Sequence, residues 1–479
     1  MADSELGYAR QLLATLHKDR DRLQRIDDYV QGEHDDPYMP ISSDAEYRLL
    51  AERSVSNWMP LLLNTPAQAM YVDSVRRADK QLAVGEQLSE WRHWQRSGLD
   101  ARQLAIHKGA LKFGHSFTLT EAVRKGRKRL VKTKGLSAMR TAALFEDAAN
   151  DQTPIVAITV TAWPRDDKPG KARMFDETYE YEVTFGSLGD ADSVKVLTKT
   201  KHGASECPVT RFAAAVDLEG RTVGVIEPMI ALQNRINQTV FDLLLAQSYQ
   251  SSQVRYATGM APPVKRDPET GEVELDSAGN PIPLPINHNA RRFLFAEDPD
   301  VKFGSLEATP LEGLIASIDM SIRHLAAISQ TPPHHLLGQI ANLSAEALEA
   351  AETALLRKVQ EFRNSFGEAW ERVFRLAAEL EGDADGVDAY SCEVLWRDME
   401  MKSLAQSADG LGKLSAQLGI PARGLWPRVP GVTRNEVDEW ERIAEESDSQ
   451  LRLAQSITRA TTRQHTTPAQ TTTAAPIAA

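Results

Sequence analysis

Two long amphipathic helical patterns bracket a turn-rich block, and a third helical pattern follows almost at once. This succession, over residues 226–380, constrains the fold more than any other feature of the chain. From residue 227 the apolar positions Met229, Ile236 and Leu243 recur every seven residues with Ile230, Val240 and Leu244 beside them, which gives one buried stripe. The other faces carry neutral amides, Gln233, Asn234, Asn237, Gln238, Gln247, Gln250 and Gln253, where a solvated helix would carry Glu and Lys. Such a surface suits polar neighbours, and a helix over residues 227–253 reaches about 40 Å at roughly 1.5 Å per residue. The second helix starts at a capping box, Thr309 to Glu312 with Pro310 in the first turn, and its stripe is Leu311, Leu314, Ile315, Ile318, Ile322 and Leu325. It stops at Thr331-Pro332-Pro333, because neither proline donates a backbone hydrogen bond. The third is capped by Asn342 or Ser344, carries Glu346 and Glu349 near its positive end, and presents Leu355, Val359, Phe362, Phe366, Trp370, Val373, Ala377 and Leu380 as one stripe. Over residues 344–380 it spans about 55 Å.

Between the first two helices, residues 257–308 hold Pro262-Pro263, Pro268, Gly271, the turn Gly279-Asn280-Pro281, Pro283, Pro285 and Pro299. That punctuation excludes a long helix. Short β-rich runs at 272–275 and 292–295 suit a small β module, too short for an independent enzyme domain. Upstream, residues 5–31 read as a charged helix, and 58–71 and 82–110 carry helical spacing interrupted by Pro60, Pro66 and Gly98. Strand patterns follow at 117–123, 155–163, 178–185 and 194–198, with a short helical pattern at 136–146 between the first two. Residues 1–225 therefore read as one α+β unit. Downstream, Gly382 and Gly386 mark a break, two short helical patterns occupy 403–418 and 433–446, and from Thr461 the Thr/Ala/Pro/Gln composition offers too little apolar surface to fold. The fold class is α+β, mixed, with long helices around a small β-rich insert.

No catalytic constellation emerges. Cys207 and Cys392 form neither a disulfide framework nor a metal pairing, so a reducing compartment is expected. No run approaches the roughly 18 apolar residues of a membrane span, and the N-terminus lacks a signal-peptide core, which points to the cytosol and away from a membrane. The basic run Arg124-Lys125-Gly126-Arg127-Lys128-Arg129, with Lys132 and Lys134, reads as a solvated β-turn or a protein-facing patch ahead of a nucleic-acid contact. His324, His334 and His335 lack a Cys or carboxylate at ligand spacing, so no metal is expected. Gly410-Leu411-Gly412-Lys413 lacks the spacing of a phosphate-binding loop, Asp27-Asp28, Asp166-Asp167 and Glu445-Glu446 lie in polar surroundings, and no cofactor is expected. What remains is mechanical architecture. A helical scaffold or adaptor of a large assembly, without a channel, would explain the long helices, but it has little use for a β module between two of them.

Several ordered features carry a family resemblance. They are Cys207-Pro208-Val209-Thr210-Arg211-Phe212, then Ile226-Glu227-Pro228 leading into Leu232-Gln233-Asn234-Arg235-Ile236-Asn237, then the turn-rich insert and second helix. Gly338-Gln339-Ile340-Ala341-Asn342-Leu343-Ser344-Ala345-Glu346-Ala347-Leu348 follows, then Trp396-Arg397-Asp398, Gly419-Ile420-Pro421, and Glu436, Trp440 and Glu441. In this order the chain resembles the portal proteins of long-tailed bacteriophages, although Ala341 and Leu343 make a segment that is often Gly/Ser-rich bulkier. The resemblance implies a homo-oligomeric ring, usually of twelve subunits, at one capsid vertex of the virion, assembled in the host cytoplasm. Double-stranded DNA would pass through it during packaging and ejection without sequence-specific contact. It further implies a wing at 1–225, a first stem helix at 226–256, a clip at 257–308, a second stem helix at 309–330, a channel loop at 331–343, the long helix at 344–382, a helical crown-like region at 383–446 and a mostly disordered tail at 447–479. His334, His335, Gln339 and Asn342 would be the loop residues facing DNA. The terminase motor, head-completion (connector) proteins and capsid or scaffold proteins would be its partners. The net charge of −12 is compatible with a conduit, since DNA must slide and firm phosphate contacts would act as brakes.

Overall fold

In the computed structural model the described residues are 2–39, 45–80, 87–126, 128–166, 168–251, 255–258, 264–282, 300, 302–305, 310–338, 345–397, 404–432 and 434–447. The chain opens with α1 (Ala2–Gln31), α2 (Ala45–Ser54), α3 (Met59–Gln68), β1 (Val72–Arg77), α4 (Ser89–Ser97) and α5 (Leu99–Phe113). Pro60 sits in the first turn of α3, where no intrahelical N–H is needed, while Pro66 is carried inside it. Gly98, with φ +65°, separates α4 from α5.

Eight strands follow: β2 (His115–Lys125), β3 (Lys128–Leu136), β4 (Thr141–Leu144), β5 (Val156–Ala162), β6 (Gly170–Phe175), β7 (Tyr179–Phe185), β8 (Lys195–Lys201) and β9 (Val209–Ala213). They form two antiparallel sheets, of order β3-β2-β9 and β4-β5-β6-β7-β8. The helical pattern expected at 136–146 is corrected here. Ala142 and Ala143 favour a helix locally, but Thr141–Leu144 pairs antiparallel with β5, Thr141 against Thr159, and Ala142 is buried in the core that α1 covers. The basic run crosses the β2–β3 turn, with Arg124 opposite Arg129, Lys125 opposite Lys128, and Gly126 at φ +64°.

Glu227–Met229, a single 3-10 turn, leads into α6 (Ile230–Ser251), followed by β10 (Arg255–Thr258), β11 (Lys302–Ser305), α7 (Glu312–Ser329), α8 (Pro333–Leu337), α9 (Ala345–Glu381), α10 (Ala384–Val387), β12 (Cys392–Trp396), α11 (Leu404–Leu418), α12 (Ala422–Leu425) and α13 (Arg434–Ser447). The chain divides into two compact units. The first takes its described residues from Met1–Glu33, Asn57–Ile230 and Ala326–Ala479, and the second from His34–Ser56 and Ala231–Leu325.

In the first unit α9 packs on the β3-β2-β9 sheet, on β12 and on α4. All eight residues of its expected stripe are buried, from Leu355 to Leu380. Trp370 stands edge-on to Trp94 and Phe212, with ring centroids 4.8 and 4.7 Å apart. Arg372 is buried and saturated: its guanidinium donates to the carbonyls of Cys207 and Val209 at 3.0 Å, to Thr210 Oγ1 at 2.8 Å and to Glu206 at 3.2 Å. β12 pairs antiparallel with β1, so the chain beyond α9 returns to the strand that follows α3. On the other sheet, Ala9, Leu12, Leu13 and Leu16 of α1 pack against Val156, Ile158, Val160 and Phe185. The approach to α6 is set by a close backbone crossing. A Cβ on Gly224 would lie 2.4 Å from the Lys112 carbonyl oxygen, and Val225 N–H donates to the Leu111 carbonyl at 2.7 Å.

In the second unit Leu50 and Ala51 of α2 bury against Phe241 of α6. The amides of α6 find polar neighbours in the same segment: Gln233 Nε2 donates to the Ser56 carbonyl at 2.7 Å, Asn237 Nδ2 to His34 Nδ1 at 2.8 Å, and Gln238 Oε1 accepts from Tyr38 N–H at 2.6 Å. Residues 34–56 thus cluster with 231–325, a division that differs from the sequence reading of 1–225 as one unit. The insert holds a small meander at 264–282 whose middle stretch bonds to both flanks: Glu274 N–H donates to Lys265 O at 2.9 Å, and Ile282 N–H to Glu274 O at 3.0 Å. Its turns are closed by Asp267 Oδ1, accepting from Glu269 and Thr270 N–H, and by Asp276 Oδ1, accepting from Ala278 and Asn280 N–H. These bonds hold both carboxyls below their usual pKa range. β10 and β11 pair antiparallel on either side of the meander. The 292–295 run lies outside the described residues, as do Thr309, the expected cap of α7, and the tail from 448.

Candidate functional site

The segment joining α7 to α9 is built for constraint. Gln330 ends α7 at φ +54°, Pro332 and Pro333 forbid continuation, and Pro333 opens α8, which Gly338 closes at φ +65° with its N–H donated to the His334 carbonyl at 3.0 Å. Of the expected loop residues, His334 and His335 lie on α8, whereas Gln339 and Asn342 fall outside the described residues. Leu336 between them is buried. Both histidines turn to one acceptor, Glu352 on α9, whose Oε1 lies 3.1 Å from each Nε2. Lys358, one and a half turns further along α9, donates to the Ser329 carbonyl at 2.9 Å, so the end of α7 is tied to α9 as well. Neither Glu352 nor Lys358 carried a sequence signal, because the bends that bring α9 back to the two histidines leave no trace in residue spacing. His324, grouped with them by residue type, belongs to the second unit, where its Nδ1 accepts from Arg235 at 3.1 Å.

The other conspicuous groups are mutually satisfied. A cavity of about 510 Å³ is lined by Arg22, His115, Arg211, Thr222 and Glu227. There Arg22 pairs with Glu227 at 2.8 Å, Arg211 donates to the Ala148 and Asp151 carbonyls, and His115 bonds Thr222 Oγ1 at 2.7 Å. Burial, with Arg22 and Arg211 nearby, pushes His115 down to about 4. A second cavity, of about 630 Å³, contains Lys112, which pairs with Asp27 and is pushed down to about 8 by burial. Burial pushes the Cys207 and Cys392 thiols up to about 12, so neither is a poised thiolate. Gly410 to Lys413 lies within α11, where Lys413 pairs with Asp409 at 2.7 Å. Among the described residues, no helix is long and apolar enough to cross a membrane.

The chain matches the family "Phage portal protein, SPP1 Gp6-like" over residues 10–450. A protein named "Portal protein" from Mycobacterium phage L5 is 25% identical over 410 residues, covering 81% of this chain and 79% of that protein. One of the same name from Mycobacterium phage D29 is 32% identical over 183 residues, 38% of this chain, and the match spans only 36% of that relative. A solved chain described as "Neck of empty GTA particle computed with C6 symmetry" superposes with a TM-score of 0.40 at 14% identity, over 86% of this chain and 96% of that one. The match across nearly the whole sequence and the two named relatives agree, and the chain belongs to the phage portal protein family.

Proposed function

We propose that this chain assembles into a ring at one capsid vertex and serves as the conduit for double-stranded DNA during packaging and ejection, a structural role without catalysis. The observation that carries the reading is the family match over residues 10–450, which takes in the order α6, meander, α7, α8, α9. Residues 1–225 supply most of the wing, 226–256 and 309–330 the stem, 257–308 the clip that docks the terminase motor and then the head-completion proteins, and 331–343 the channel loop. The second stem helix supports assembly, because Ile315, Met320 and Ile328 of α7 are each half or more exposed in the single chain, an apolar surface that a neighbouring subunit would cover. The acidic composition supports a channel that repels the phosphate backbone.

Electron micrographs of the purified protein, with light scattering, test the ring. Annular particles with a central hole and a mass many times 53.0 kDa are expected. A species of 53.0 kDa at every concentration, with no rings on co-expression with capsid proteins, would overturn the assignment.

A further inference from the structure

We propose that His334, His335 and Glu352 form a zinc site that clips α8 to the second turn of α9. The donor set is two imidazoles and one carboxylate, a combination that serves zinc well. Metal–ligand distances of about 2.0–2.1 Å in a tetrahedral site put neighbouring donors about 3.3 Å apart. Here each histidine Nε2 lies 3.1 Å from Glu352 Oε1, and the three donor atoms all fall within 4.8 Å of one another. The two rings stand nearly perpendicular, 79° apart with centroids 4.5 Å from each other. Preorganisation is unequal. The His334 side chain is only 7% exposed, whereas that of His335 is 31% exposed and leaves room for a water as fourth ligand.

In sequence these histidines have no carboxylate at ligand spacing, and the fold supplies one. Adjacent histidines meet on α8 because Pro333 starts that helix immediately before them, and Glu352 comes from the following element. Bound zinc would join the two elements that flank residues 339–344, adding a cross-link to the Lys358–Ser329 bond. This assignment stands on these three side chains and does not rest on the portal reading.

The test is calorimetric titration of ZnCl2 into the full-length, untagged, chelator-stripped protein at neutral pH. One zinc per chain is expected, with an affinity that falls as acidification protonates the imidazoles. His335→Ala and Glu352→Gln should each weaken binding by at least about tenfold. Should His334→Ala fail to fold, the more exposed His335→Ala and the near-isosteric Glu352→Gln carry the test. Cobalt(II) provides a second readout: the intense visible absorption of a four-coordinate ion in the unaltered protein, lost in Glu352→Gln. No zinc uptake by the unaltered protein, or uptake unchanged in Glu352→Gln, would overturn the site and leave the three side chains as a hydrogen-bonded group.

Discussion

His107 illustrates how one residue ties packing to pH. It is fully buried against Trp370, whose indole N–H donates to His107 Nε2 at 2.9 Å; Nε2 must therefore be the acceptor, and Nδ1 carries the proton toward the Met70 carbonyl at 3.1 Å. Burial pushes the imidazole down to about 4, as it does for His115. Between about pH 4 and 6.5 the unfolded chain binds a proton at each that the folded chain does not, so stability rises with pH across that window and is lost on acidification. Glu371 opposes this. Burial and neighbouring Glu368 raise it to about 7, so its contribution declines as pH rises from about 4.5 to 7. In His107→Gln the acid-side slope of unfolding free energy against pH should be shallower by about one proton, or roughly 1.4 kcal/mol per pH unit. Denaturant titrations between pH 4 and 7 measure it, and an unchanged slope would mean that His107 titrates in the folded protein as it does in the unfolded chain.

Among the elements, α9 was legible because a stripe of eight apolar residues over about seven turns leaves one way to face a core. α7 was legible in extent but not in burial: Ile322 and Leu325 are covered, whereas Ile315 of the same stripe is 51% exposed. Periodicity reports which face is apolar, not what covers it. The meander at 264–282 was legible from its turn residues, since Asp267 and Asp276 close their turns through their own side chains with no need of tertiary support. In the proposed assignment this insert docks partners and does not hold the wing together. Replacing residues 262–300 by a short Gly/Ser linker should therefore leave the helical circular dichroism and the main unfolding transition nearly intact while abolishing pull-down of motor and connector proteins. Normal packaging by particles carrying that deletion would remove the docking role.

For the whole molecule, the question is what the proposed ring presents to DNA. Residues 339–344 connect α8 to α9, and the elements ahead of them are tied to α9, α8 through His334 and His335 to Glu352 and the end of α7 through Ser329 to Lys358. On the portal reading, Gln339 and Asn342 meet the duplex there with contacts too weak to hold phosphates. Gln339→Lys combined with Asn342→Lys should leave rings intact in micrographs while slowing or stalling translocation, most strongly at low salt, where attraction to the backbone is least screened. Packaging at the unaltered rate in low salt would show that this loop stays clear of DNA.

Local information was enough for α1, α6, α7 and α9, the insert's turns and the family resemblance, because each depends on residues close together in sequence: a stripe, a cap, a proline pair, an ordered run of short motifs. It was misleading at 136–146, where Ala-rich propensity was overruled by pairing with β5. Four features belong to the tertiary structure alone. They are the return of β12 to β1, the grouping of residues 34–56 with α6, the buried fan of bonds from Arg372, and the arrival of Glu352 beside two histidines. Each joins groups whose separation along the chain says nothing of their separation in space, and only the packed fold brings them within reach.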